Sequence, residues 1–98
     1  MTSASSNKDR EALIDAVLDH VSQLKAGEVA TYGEIGAAVG CGPRQVGRIM
    51  REYGSETPWW RVVRADGTSA VADKARPHWR ADGLPLKENG VDLKKLTL

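Results

Sequence analysis

The stretch from Thr31 to Glu52 constrains the fold most, because two helix starts lie in it on either side of a short glycine-bearing break. Thr31-Tyr32-Gly33-Glu34 has the capping-box spacing, in which a hydroxyl and a carboxylate each satisfy a free backbone N–H of the first turn. A helix is therefore predicted after Thr31, with Ile35, Ala38 and Val39 turned inward. Gly40-Cys41-Gly42 ends it. Pro43 then stands where a helix's first residue tolerates a missing N–H. Val46, Ile49 and Met50 mark the buried side of a further helix reaching about Glu52. Two short helices joined by such a turn make a helix-turn-helix pattern. Arg44, Gln45, Arg48 and Arg51 fall on or near the exposed side of the second helix, as in a recognition helix. Taken alone the pattern is weak, since many helical hairpins never touch nucleic acid.

The flanks suggest what surrounds this unit. Residues 1–6 are small and polar and are expected to form a flexible N-terminal tail. Ser6 offers an N-cap, and Leu13, Ile14, Val17, Leu18, Val21 and Leu24 recur at helical spacing, predicting a scaffold helix over 7–25 that stops near Gly27. Val29-Ala30 is a short extended lead-in. After a loop over 53–57 comes Pro58-Trp59-Trp60-Arg61-Val62-Val63, then Arg64-Ala65-Asp66-Gly67-Thr68, whose Asp-Gly is a hairpin-turn signal. Strand, tight turn and return strand behind a helix-turn-helix would form a wing. Residues 72–76 read as a polar linker or helix start, and 77–89 as helical in pieces, because Gly83 and Pro85 interrupt them. Gly90-Val91-Asp92-Leu93 reads as the exit from that helix into a short strand or tail. The expected fold class is mainly α with a small β wing. Residues 7–98 are expected to form a single domain, as a 98-residue chain supports one modest core.

Charge narrows the function. There are 14 Lys plus Arg against 13 Asp plus Glu, a formal net charge of +1, which argues against a polybasic binder acting through bulk charge. The distribution is uneven. Residues 1–40 hold three basic and six acidic side chains, whereas 41–80 hold eight basic and four acidic, seven of the eight being arginine. Arginine suits phosphate forks and base stacking; a solvated face with internal pairs is the competing reading. No apolar run approaches the roughly 20 residues a membrane span needs. Met1–Ser6 lacks the charged and apolar regions of a secretory signal, so an intracellular protein without a membrane partner is expected. The single cysteine, Cys41, excludes an intramolecular disulfide and a Cys-based zinc site. His20 and His78 lie far apart without ligand-spaced partners, so neither metal nor cofactor is expected.

Three separated spellings then become specific. Gly27-Glu28-Val29-Ala30-Thr31-Tyr32-Gly33-Glu34-Ile35, Arg44-Gln45-Val46-Gly47, and Pro58-Trp59-Trp60-Arg61-Val62-Val63 followed by Asp66-Gly67 occur in that order. Together, over about residues 10–92, they resemble the DNA-binding domain of O6-alkylguanine-DNA alkyltransferases. The resemblance implies the winged helix-turn-helix of the alkyltransferase C-terminal domain. Those enzymes carry Pro-Cys-His-Arg-Val, with the cysteine as alkyl acceptor and the histidine in its activating relay. Here Trp59 stands at the cysteine position and Trp60 at the histidine position. An indole offers no nucleophile comparable to a thiolate. In this form the motif is similar to the alkyltransferase-like proteins, which resemble the repair enzymes but bind the damaged base without removing its alkyl group.

What the resemblance implies can be carried over residue by residue. Arg44 matches the arginine finger that fills the gap left by an extruded nucleotide. Tyr32 matches the tyrosine that crowds the target phosphate, and Thr31 beside it would serve as both cap and phosphate donor. Gly47 matches a small residue that lets the recognition helix approach the backbone in the minor groove. Gln45, Arg48 and Arg51 complete the DNA-binding set, the last two as phosphate contacts. The lesion pocket is assigned Tyr32, Trp59, Trp60, Arg61 and Val62. Trp59 would line it, Trp60 would pack beneath, and Arg61 would tie the loop to the scaffold. Two departures bear on substituent choice. The asparagine that the enzymes place before Pro-Cys-His-Arg is missing from 53–57, and Ser69-Ala70-Val71-Ala72 offers no cation toward the lesion.

The expected partner is double-stranded DNA containing O6-alkylguanine, bound by a monomer and marked for nucleotide excision repair proteins. The expected location is cytoplasmic, nucleoid-associated in a bacterium and nuclear in a eukaryote. Two other readings stay open. A winged helix-turn-helix transcription regulator would read undamaged DNA in the major groove, usually as a dimer. An enzyme using Cys41 would accept alkyl groups there, although that residue lies in the interhelical turn, away from the pocket motif.

Overall fold

Thr31 and Glu34 close the capping box in both directions. The Thr31 hydroxyl accepts from the Glu34 N–H at 3.0 Å, and the Glu34 carboxylate accepts from the Thr31 N–H at 2.8 Å. In this computed structural model, which describes the backbone of residues 3–96 and the side chains of 8–96, that box opens helix α2, Tyr32–Val39. Gly40 ends α2 in the left-handed region at φ 89°, and α3, Pro43–Tyr53, starts with its proline at the first position. The turn between them is tight against α2. A Cβ on Gly36 would run into the Cys41 carbonyl, so glycine is required where the chain doubles back. Both predicted helices of the helix-turn-helix are thus present.

Helix α1 spans Ser3–Ser22 and packs Val17 and Val21, fully buried, against Ile35 of α2 and Val46 of α3. It starts earlier than its sequence suggests: Ser6 lies inside it rather than capping it, and residues 3–6 belong to the helix and not to a tail. Met1 and Thr2 fall outside the described residues. It also ends before Gln23, where turns carry the chain into strand β1, Ala30–Thr31.

After α3, short 3-10 turns at Gly54–Glu56 and Trp59–Arg61 lead to strand β2, Val62–Val63. β2 pairs in parallel with β1, Ala30 beside Val62 and Thr31 beside Val63. Successive strand side chains point to opposite faces, and the two valines enter two different cores. Val62 joins the α1–α3 cluster, and Val63 joins a second one built on Trp79, Leu84 and Val91. Trp59 packs against both.

The wing is present, in a different place. The Asp66-Gly67 turn forms, with Gly67 at φ 86° and its N–H bonded to the Arg64 carbonyl at 2.8 Å. The chain then does not return along β2. Thr68 instead bridges Gly90, at the edge of an antiparallel hairpin made of β3, Leu86–Lys87, and β4, Gly90–Val91. The loop of that hairpin is Glu88-Asn89, and Asn89 takes φ 63° in it, a conformation asparagine tolerates. Gly67 and Gly90 cross at backbone distance, leaving no room for a Cβ on either.

Between these parts runs α4, Ala72–Ala81, continuous through Pro77. The proline costs one ladder bond, to the carbonyl of exposed Asp73, while Ala75 and Trp79 are completely buried. Burial of that face outweighs the lost bond. A short α5, Leu93–Leu96, follows β4. No helix among the described residues is long and apolar enough to cross a membrane.

Candidate nucleic-acid interface

A cleft of about 730 Å³ opens where α3 faces the segment that joins β2 to α4. Its size falls in the range of about 300–1,000 Å³ typical of small-ligand sites. Helix spacing explains one side. Arg44, Gly47 and Arg51 stand three and four residues apart and share a face of α3, while Val46 and Ile49 hold the helix from behind. The start of α2 adds Thr31 and Tyr32. Trp59 and Val62 contribute apolar surface, and the chain beyond β2 adds Arg64, Val71 and Lys74.

Four cations line the cleft, Arg44, Arg51, Arg64 and Lys74, and no carboxylate of the described residues does. Among the described residues, the side chains of Arg44, Arg51 and Lys74 form no hydrogen bond or ion pair, whereas that of Arg64 reaches the Thr68 hydroxyl at 3.5 Å. Burial pushes the half-buried Tyr32 phenol above its ordinary value, and the positive fields of Arg64 and Arg51 partly oppose this. The phenol stays a neutral donor between two cations. Thr31 already accepts from the Glu34 N–H, so its own O–H remains free to donate. A Cβ on Gly47 would meet nothing within 4 Å. The chain's own packing therefore does not demand this glycine, which costs about 1 kcal/mol of helix propensity.

Seven of the residues expected to bind DNA or line the pocket come together here: Thr31, Tyr32, Arg44, Gly47, Arg51, Trp59 and Val62. Four do not. Gln45 and Arg48 are exposed on α3 outside the cleft, and the Gln45 side-chain oxygen Oε1 accepts from the Gly42 N–H at 3.5 Å. Trp60 and Arg61 turn into the scaffold. Arg61 grips Asp82 through Nε at 2.7 Å and Nη2 at 2.9 Å, and Nη1 donates to the Leu24 carbonyl at 3.0 Å. The Trp60 indole N–H donates to the same carboxylate at 3.0 Å, and its carbonyl accepts from the Trp79 indole at 2.6 Å. Counting Trp60 and Arg61 as pocket lining is thus corrected, while the roles expected of them, packing beneath Trp59 and tying the loop to the scaffold, are met. Both serve the anchor beneath it, since their donors are consumed there.

Ser69, Ala70 and Val71 reach the cleft without bringing a cation, as expected, but the residues on either side of them each supply one. The first turn of α4 brings Lys74 to the cleft, and the end of β2 brings Arg64. Only the helix start at Ala72 could have indicated the first. Met50 lines the cleft as well, although its helical position reads as core. Cys41 lies elsewhere, half-buried against the α1–α3 core, and burial pushes its thiol up, away from the reactive thiolate. Among the described residues no group of His, Cys, Asp or Glu is arranged to hold a metal ion.

Residues 12–93 match the family described as 6-O-methylguanine DNA methyltransferase, DNA binding domain. Alkyltransferase-like protein 1 of Schizosaccharomyces pombe is 37% identical over 86 residues, covering 84% of this chain and 79% of its own length. The DNA base-flipping protein of Vibrio parahaemolyticus is 31% identical over 78 residues, covering 71% of this chain and 78% of its own. The crystal structure of S. pombe Atl1 in complex with damaged DNA containing O6-carboxymethylguanine matches with a TM-score of 0.69 at 29% identity, over 83% of this chain and 86% of that one.

Proposed function

Because the chain belongs to the alkyltransferase-like members of the 6-O-methylguanine DNA methyltransferase DNA-binding-domain family, we propose that it is a non-catalytic sensor of O6-alkylguanine in duplex DNA. The observation that carries this reading is the cleft itself, with its cations, its neutral phenol and its indole, and with no thiol in it. The relative solved with O6-carboxymethylguanine DNA, and the relative named for base flipping, support it.

A base stacked in a duplex hides its O6 edge, so the protein turns the nucleotide out at an unstacking cost of a few kcal/mol, least for a damaged base. Binding takes place from the minor groove, where the bare face at Gly47 allows close approach to the sugar-phosphate backbone. Tyr32 and Thr31 meet the phosphate of the target nucleotide as neutral donors. Arg44 enters the vacated space, where its planar guanidinium stacks on neighbouring bases and hydrogen-bonds the orphaned partner. The extruded base enters the cleft against Trp59, whose indole supplies apolar surface to base and alkyl group alike. Trp59 offers no lone pair for alkyl transfer, and the Cys41 thiol lies outside the cleft. The complex therefore persists, and a persistent complex of a single chain on the lesion is the mark passed to nucleotide excision repair.

The test is a paired titration of duplexes containing O6-methylguanine or guanine in the same sequence, at several salt concentrations, with mass spectrometry of the recovered protein. Tighter lesion binding and an unchanged protein mass are expected. Equal affinity at every salt concentration would sink the sensor reading, and an added alkyl mass would restore an enzyme using Cys41.

A further inference from the structure

His78 is an exposed histidine on α4 whose imidazole forms no hydrogen bond within the Arg61 anchor, yet it touches both adjacent tryptophans. Its ring stacks on Trp60 with centroids 4.1 Å apart and planes 15° from parallel. The same ring meets Trp59 edge-on at 5.4 Å and 72°. Trp60 itself meets Trp59 at 5.7 Å and 86°. His78 and Trp60 thus form a two-ring slab, and Trp59 stands across it.

One half of that slab is fixed. Asp82 holds the Trp60 indole N–H, the Arg61 guanidinium carbon lies 5.2 Å from the Trp60 ring centroid, and Trp79 holds its carbonyl. The other half is His78 alone, whose imidazole makes no hydrogen bond or ion pair among the described residues, its backbone carbonyl being taken by the Asp82 N–H at 3.0 Å. We infer that His78 is a positioning residue for Trp59, holding that indole at the angle in which it lines the cleft. This rests on the lesion-sensor reading only for its effect on binding. A ring ordered before binding loses no rotamer freedom when a base arrives against it, whereas a loosened ring pays that ordering cost on binding. Removing His78 therefore weakens binding of an extruded base, while contacts to phosphate from α3 are untouched.

The test compares wild type with His78→Ala and with His78→Phe, which restores a flat ring without the imidazole nitrogens. The lesion-to-guanine affinity ratio is expected to fall about three- to tenfold in the alanine variant and to return to within about twofold of wild type in the phenylalanine variant. The same proteins, labelled with 5-fluorotryptophan and with the Trp59 signal assigned through Trp59→Phe, report the ring directly by fluorine NMR without DNA. His78→Ala should shift or broaden the Trp59 signal, and His78→Phe should bring it back. An unmoved Trp59 signal with an unchanged affinity ratio in His78→Ala overturns the inference, as does a phenylalanine variant that behaves like alanine. If wild type shows no lesion preference while the Trp59 signal still responds to His78→Ala, the positioning role stands and the sensor reading falls.

Discussion

The anchor around Arg61 and the rim of the cleft around Arg44 use the same side chain in opposite ways. Arg61 is nearly buried, its side chain 14% exposed and that of its partner Asp82 8%, and its hydrogen bonds go to a carboxylate and a backbone carbonyl. The side chains of Arg44 and Arg51 stand exposed on α3 without an ion pair or hydrogen bond among the described residues. A paired arginine whose partner is nearly buried holds the fold, because removing it strands a charge. An unpaired arginine on a rigid helix costs the fold little and is available to an anion. The charge count of residues 41–80 merges these two populations, and only the carboxylate at Asp82 separates them.

The contrast can be broken most forcefully at the anchor. Arg61→Ala is expected to cost about 3 kcal/mol of stability in urea unfolding, since it leaves the Asp82 carboxylate without its main partner. A loss below about 1 kcal/mol would put Arg61 in the same class as the rim cations.

Acid probes the same pair from the other side. The Arg61 hydrogen bond holds the Asp82 carboxyl below the usual carboxylate range, with the Trp60 donor assisting and burial opposing. The value in the folded protein is lower than in the unfolded chain, so the stabilisation is complete above about pH 5 and drains away as pH falls through the unfolded carboxylate range toward the folded value. The urea midpoint of wild type should therefore drop between about pH 5 and pH 3 more steeply than that of Asp82→Asn. Asp66, held low by the Thr68 hydroxyl and N–H, leaves a residual slope in the variant.

At the rim the expected effects move from stability to binding. Arg44→Ala should remove most of the lesion preference, about tenfold or 1.4 kcal/mol, with stability unchanged within about 0.5 kcal/mol. A retained preference would show that another group fills the gap. Arg51→Ala is the mildest, weakening both duplexes a few-fold and lowering the salt slope by about one phosphate contact. Loss on the lesion duplex alone would move Arg51 from phosphate contact to base contact.

Local signals in the sequence carried far where chemistry is local. The capping box at Thr31 and Glu34, the proline at the head of α3 and the shared face of Arg44, Gly47 and Arg51 all follow from spacing within a few residues. What spacing could not supply is whatever depends on a distant partner. Trp60 and Arg61 leave the pocket because Asp82 receives them from another element. β2 finds β1 rather than a hairpin mate, so the wing forms from Thr68 and the 86–91 hairpin instead. Residues 72–76 stayed open between linker and helix start; α4 begins there, bringing Lys74, and runs on through Pro77 because burial of Trp79 outweighs one missing backbone bond.

The parallel pairing of β1 with β2 also bears on the order in which the molecule acquires its abilities. The helices α1 to α3 are neighbours in sequence and can gather early, with the arginines of α3 in place. The cleft needs Trp59, Val62 and Lys74 against Tyr32 and Arg44, and so exists only once the chain has closed from Thr31 round to Val63. Such closures between distant segments are slow compared with helix assembly. In a refolding time course, affinity for plain duplex should therefore return before discrimination does. A newly made or partly unfolded chain would hold DNA before it could tell a damaged base from an intact one.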